Sequence, residues 1–79
     1  MSNEFDQLKT ILTERFGVKS ERIVLTARFQ EDLGLDSLDA VDLLFAVNDT
    51  FGTRIPGEAL SDIHTVSQLA ALIEKQNKN

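Results

Sequence analysis

Ser37 is the residue of this chain best placed to carry chemistry, because Asp36-Ser37-Leu38-Asp39 stands where an irregular segment gives way to a helical pattern. Asp36 fits the N-cap of that helix and Asp39 lies three residues on, which puts the Ser37 hydroxyl in the first turn, projecting outward. A helix start offers unpaired backbone N–H groups and a partial positive charge, so it favours a phosphate ester attached there. A serine behind an aspartate at a helix start is also an ordinary capping arrangement, and the position alone assigns no function. Glu31, Asp32, Asp36, Asp39 and Asp42 gather around the same point. Clustered carboxylates suit a hard cation, but these do not fit the EF-hand spacing. They are expected to favour the helix start and to meet basic partners, with no metal. His64 is the single histidine and reads as a solvated loop residue. With no cysteine, disulfides, thiolate ligands and cysteine nucleophiles are all excluded. Neither a catalytic triad nor a glycine-rich phosphate loop is present, so the chain is not expected to be an enzyme.

The elements that position Ser37 must fit in 79 residues and 8.8 kDa, room for one domain, 1–79. A hydrophobic content of 42% and a mean hydropathy of −0.12 suit a soluble globular fold. No apolar run approaches membrane-spanning length, and Met1-Ser2-Asn3-Glu4 lacks a secretory pattern, so a cytoplasmic location is expected. The net charge of −5 and pI of about 4.6 oppose nucleic-acid binding, which rests on Lys and Arg meeting phosphates. The acidity is concentrated: residues 36–62 hold six acids and one base, whereas residues 1–35 hold six and five. A concentrated field steers association with a basic partner.

Apolar residues at Phe5, Leu8, Ile11, Leu12 and Phe16 follow helical spacing, with Ser2 or Asn3 as cap and Gly17 as stop. From Val18 to Asp36 single apolar residues (Val18, Ile23, Leu25, Phe29, Leu33, Leu35) stand among charges. That segment reads as a long loop pinned to the core at intervals. A second helix runs from Ser37 to about Phe51 and closes at Gly52. Pro56-Gly57 resets the chain, and Glu58 to Ser61 fits one short turn. Thr65 and Gln68 form a capping box for a last helix that faces Val66, Leu69, Ala70 and Ile73 inward. Lys75 and Lys78 suit its C-terminal end, and 76–79 are expected to fray. With no strand alternation, the fold class is all-α: a small four-helix bundle of three main helices and one short one.

The second helix carries two apolar faces. At about 100° per residue, Ala40, Leu43, Leu44, Val47 and Phe51 form a core stripe. Leu38 and Phe45 lie nearly opposite, with Val41 near them, and Asp39, Asp42 and Asp49 flank this second set. An apolar patch rimmed by one sign of charge is the signature of a partner surface. The other reading is that the 18–36 loop folds over it.

The run Glu31-Asp32-Leu33-Gly34-Leu35-Asp36-Ser37-Leu38-Asp39, the acidic helix and the Ile55-Pro56 connector resemble the acyl carrier protein family, of the bacterial type II fatty-acid synthase type. Its Gly-x-Asp-Ser-Leu attachment motif matches Gly34, Asp36, Ser37 and Leu38, and the wider pattern covers nearly the whole chain. The resemblance implies that Ser37 receives 4′-phosphopantetheine from coenzyme A through a magnesium-using holo-acyl-carrier-protein synthase. The thiol of that arm would hold acyl chains as thioesters and shuttle them between enzymes of fatty acid biosynthesis, with the carrier a monomer. It also implies that the acyl chain can fold back among core residues such as Leu43, Val47, Ile55, Leu60 and Ile63.

Primary fatty-acid members of the family usually carry glutamates at the end of the second helix, where this sequence has Val47-Asn48-Asp49-Thr50. Arg54 stands in a stretch that is commonly acidic, and Phe45 is bulkier than the usual Met. These departures concern which enzymes dock. A specialised polyketide or peptidyl carrier, and an unmodified helical interaction module, remain open alternatives.

Overall fold

The spacing of apolar residues produces three helices in the computed structural model, which describes residues 3–77. They are α1 (Asn3–Phe16), α2 (Ser37–Phe51) and α3 (Val66–Asn77), with 3₁₀ turns at Ser20–Arg22 and Gly57–Ser61. The order matches the expected all-α bundle, and no strand occurs among the described residues, where Arg28 and Thr65 form one isolated antiparallel bridge. The short helix expected at Glu58–Ser61 starts one residue earlier and is 3₁₀, and the Ser20–Arg22 turn was not foreseen. The candidate cap Ser2 lies outside the described residues; Asn3 is already helical.

Leu8, Ile11 and Leu12 of α1, Leu43, Leu44 and Val47 of α2, and Val66, Leu69 and Ile73 of α3 meet in one buried core. Phe5, Phe16, Phe51 and Ala70 pack half-buried at its edge. Removing each large aliphatic side chain from water contributes roughly 1.5–3 kcal/mol, so these three stripes fix how the helices face. The buried arc of α2 also takes in Ala46, which the expected stripe omitted. At its end Gly52 adopts φ 69°, and its N–H bonds the Asn48 carbonyl; a left-handed residue is what stops the helix there.

Two expectations are corrected. Leu25, taken as an apolar pin, is 51% exposed. Backbone bonds tie this part of the loop to the start of α3: the Leu25 carbonyl accepts from Ser67 N–H (2.9 Å), the Ala27 carbonyl from Val66 N–H (3.0 Å), and Phe29 N–H donates to the His64 carbonyl (3.0 Å). The first N–H groups of a helix lack intrahelical acceptors, and here loop carbonyls supply them. Ile23, Ala27, Phe29 and Leu35 are the buried residues of this segment. The second correction concerns Gln76 and Asn77, which continue α3 rather than fray. Gln76 Oε1 accepts from Arg54 N–H at 2.9 Å and ties the last turn to the connector. Lys78 and Asn79 lie outside the described residues.

Candidate functional site

Ser37 is the first residue of α2 and is exposed. Asp36 caps the helix: its Oδ1 accepts from Asp39 N–H (2.9 Å), while Asp39 Oδ2 accepts from Asp36 N–H (3.4 Å). This reciprocal box settles the helix start on these residues. It leaves the Ser37 hydroxyl and the N–H groups of Ser37 and Leu38 without a hydrogen-bond partner among the described residues. An outward hydroxyl beside two free, positively polarised N–H groups fits a phosphate monoester or diester on Ser37.

The turn that delivers the chain to Asp36 is built on Gly34, with φ 70°. Gly34 N–H bonds the Gln30 carbonyl (3.2 Å) and Leu35 N–H reaches the Phe29 carbonyl (2.9 Å). Arg28 organises the same turn. Its backbone N–H donates to Asp32 Oδ2 at 2.7 Å and its Nε donates to the same oxygen at 3.3 Å, while Nη1 stands 3.7 Å from Glu31 Oε2. The backbone hydrogen bond foremost, with the guanidinium beside it, holds the Asp32 carboxyl below the usual carboxylate range.

The acidic cluster is therefore already engaged in part. Glu31 and Asp32 face Arg28, and Asp36 and Asp39 cap α2. Asp42 and Asp49 are exposed and make no ion pair among the described residues. Leu38 (80% exposed), Phe45 (70%) and Val41 (43%) stand beside them, and the 18–36 loop does not cover this face. Among the described residues no group of three or more His, Cys, Asp or Glu side chains is arranged to hold a metal ion, and no helix is long and apolar enough to cross a membrane.

A cleft of about 360 Å³ opens beside Ser37. Its floor includes Phe29, Leu35, Leu43, Leu60, Ile63 and Leu69, and Gln30, Ser61 and His64 line it as well. Of the five residues suggested for acyl storage, Leu43, Leu60 and Ile63 line this cleft. Val47 is fully buried in the core and does not line the cleft, although Ala40, Leu43 and Leu44 of the same α2 stripe do. Ile55 lines a separate hollow of about 130 Å³ with Val41, Phe45 and Leu60.

Asn48, read from the sequence only as a missing glutamate, staples the connector. Its Nδ2 donates to the Ile55 carbonyl (3.1 Å), and its Oδ1 accepts from Ile55 N–H (3.0 Å) and Thr53 Oγ1 (2.7 Å). Thr53 is the one buried polar residue among those described. An Asn four residues before a glycine helix stop was the available signal, since a primary amide can satisfy both a donor and an acceptor of the returning chain.

A family model described as the phosphopantetheine attachment site matches residues 6–73. A protein of Afipia carboxidovorans named acyl carrier protein is 42% identical over 79 residues, all of both chains. The crystal structure of an acyl carrier protein from Thermotoga maritima superposes with a TM-score of 0.80 at 31% identity, covering 94% of this chain and 91% of that one.

Proposed function

The chain belongs to the acyl carrier protein family, and from that premise we propose that Ser37 bears its 4′-phosphopantetheine arm. The protein is a carrier and not a catalyst; the prosthetic group, when attached, supplies a thiol that holds the acyl group as a thioester. The observation that carries the assignment to Ser37 is the exposed hydroxyl at the first residue of α2, beside two first-turn N–H groups with no protein acceptor. Those groups would face the phosphate, with Asp36 and Leu38 as the flanking motif. The apolar floor of the adjacent cleft offers shelter to the attached chain.

The native role we propose is transport of growing acyl chains between enzymes of fatty acid biosynthesis, by a cytoplasmic, monomeric, single-domain carrier. Leu38, Val41 and Phe45 with Asp39, Asp42 and Asp49 form the docking face for the holo-synthase and for acyl-transferring enzymes. An apolar centre would supply contact area while exposed carboxylates steer basic patches. The shortage of acid at the end of α2, which motivated a specialised carrier, has a local reason at two positions: Val47 is core and Asn48 staples the connector.

Incubating the apo protein with coenzyme A and a broad-specificity transferase, then weighing it intact, tests the attachment. The unsubstituted chain gains the mass of one arm and Ser37→Ala gains none; a gain that survives the substitution would sink the assignment. For docking, Phe45→Ala is expected to lower transferase kcat/KM by about tenfold, the loss of an interfacial contact of about 1.4 kcal/mol. An unmodified interaction module would instead keep its function in Ser37→Ala. Acylation by fatty-acid enzymes, as against polyketide or peptidyl enzymes, tests the pathway.

A further inference from the structure

The cleft beside Ser37 joins an apolar floor to polar residues from two separate segments: Gln30 from the turn before α2, and Ser61 and His64 from the stretch before α3. The backbone of this lip is held firmly. His64 N–H donates to Gln68 Oε1 (2.6 Å), the His64 carbonyl accepts from Phe29 N–H (3.0 Å), and the Gln30 carbonyl accepts from Gly34 N–H (3.2 Å). The side chains are not committed in the same way. Those of Gln30 and His64 make no hydrogen bond among the described residues, and Ser61 Oγ donates to the Glu58 carbonyl (2.9 Å), which leaves its lone pairs open.

A pantetheine arm carries two amide groups between its phosphate and its sulfur. When an attached acyl chain lies on the apolar floor, those amides are drawn across the lip, where Gln30, Ser61 and His64 are exposed, and any amide face turned from water there without a partner costs free energy. We propose that Gln30, Ser61 and His64 form a binding site for the amide groups of the arm, and so set how long an attached acyl chain stays sheltered. The inference rests on Ser37 carrying the arm. The chemistry is complementary: a carboxamide offers donors and an acceptor, an imidazole a ring N–H donor, and the Ser61 oxygen accepts from an amide N–H. Glu31 also lines the cleft but offers only acceptors, with one oxygen 3.7 Å from Arg28. A saturated acyl chain has no use for these groups; the arm does.

The test loads the full chain with either an acetyl- or an octanoyl-phosphopantetheine arm. Intact mass reports the loading, so an arm absent from Ser37 is seen separately from a lip that does not bind, and would overturn this proposal together with the reading beneath it. In the loaded protein the Gln30 side-chain NH₂ and His64 ring resonances should shift between the acetyl and octanoyl forms. In Gln30→Ala/His64→Ala, hydroxylamine should release the octanoyl group about 2- to 10-fold faster, as expected from losing a net hydrogen bond. Acetyl release should stay unchanged, since that chain is too short to occupy the floor. Unmoved resonances, an unchanged octanoyl rate, or equal acceleration of both groups would overturn the proposal.

Discussion

Replacing Asn48 by alanine removes three hydrogen bonds at once: one to the Ile55 carbonyl, one from Ile55 N–H and one from Thr53 Oγ1. At roughly 1 kcal/mol net each the gross loss is about 3 kcal/mol. Alanine recovers about 0.6 kcal/mol through its higher helix propensity, leaving about 2.4 kcal/mol. With an unfolding entropy of roughly 2.1 cal/mol/K per residue, about 0.17 kcal/mol/K for this chain, the melting temperature should fall by about 14 °C. Thermal unfolding followed by far-UV circular dichroism measures this directly. Thr53→Val removes only the 2.7 Å bond and should cost about 1 kcal/mol. Because that bond can be lost only once, the double variant should melt close to Asn48→Ala alone. A loss under about 0.5 kcal/mol in Asn48→Ala, or additive losses in the double variant, would refute the view that Asn48 holds the connector.

Asp36→Ala should cost about 1 kcal/mol, or about 6 °C in melting temperature, through loss of the α2 cap. Gly34→Ala should cost about 1–2 kcal/mol from backbone strain alone, since φ is 70° and a Cβ there meets nothing within 4 Å; Gly57→Ala, with equal space and no positive φ, should be tolerated in the same denaturant titration. The Asp32 carboxyl, held below its ordinary value of 3.8, favours the folded state above that value and ceases to as pH falls through its lower folded value. Asp32→Asn should therefore flatten the stability-versus-pH curve below about pH 3.8 and leave its slope near neutrality unaltered, as denaturant midpoints across the acid range will show.

The parts of the fold set by side-chain periodicity are legible in the sequence. The stripe Leu43, Leu44, Val47, the stop at Gly52, the reciprocal Asp36–Asp39 cap and the Thr65–Gln68 box each depend on residues close in sequence. The loop was harder because its attachment to α3 uses carbonyls, which every residue possesses; an apolar Leu25 could look buried while its side chain stands in solvent. Asn48 was misread for a related reason, since its partners come from a connector whose path depends on Asn48 itself. At the candidate site the exposed face of α2 followed from the helical wheel. Gln30, Ser61 and His64 share one cleft only through packing across more than thirty residues of sequence, which no local pattern encodes.

The backbone bonds joining the 18–36 loop to the start of α3 also make the protein modular. Phe29 N–H to the His64 carbonyl and Val66 N–H to the Ala27 carbonyl act as a clasp whose two halves bracket the segment between them. That segment contains the Gly34 turn, all of α2 and the connector, hence the attachment residue and the docking face together. Because the clasp is main chain, it is indifferent to which side chains lie inside it. Evolution, or an engineer, can exchange the outward-facing residues between 30 and 63, altering partner choice, while Leu35, Leu43, Leu44, Ala46, Val47 and Ile55 keep the core shared with α1 and α3.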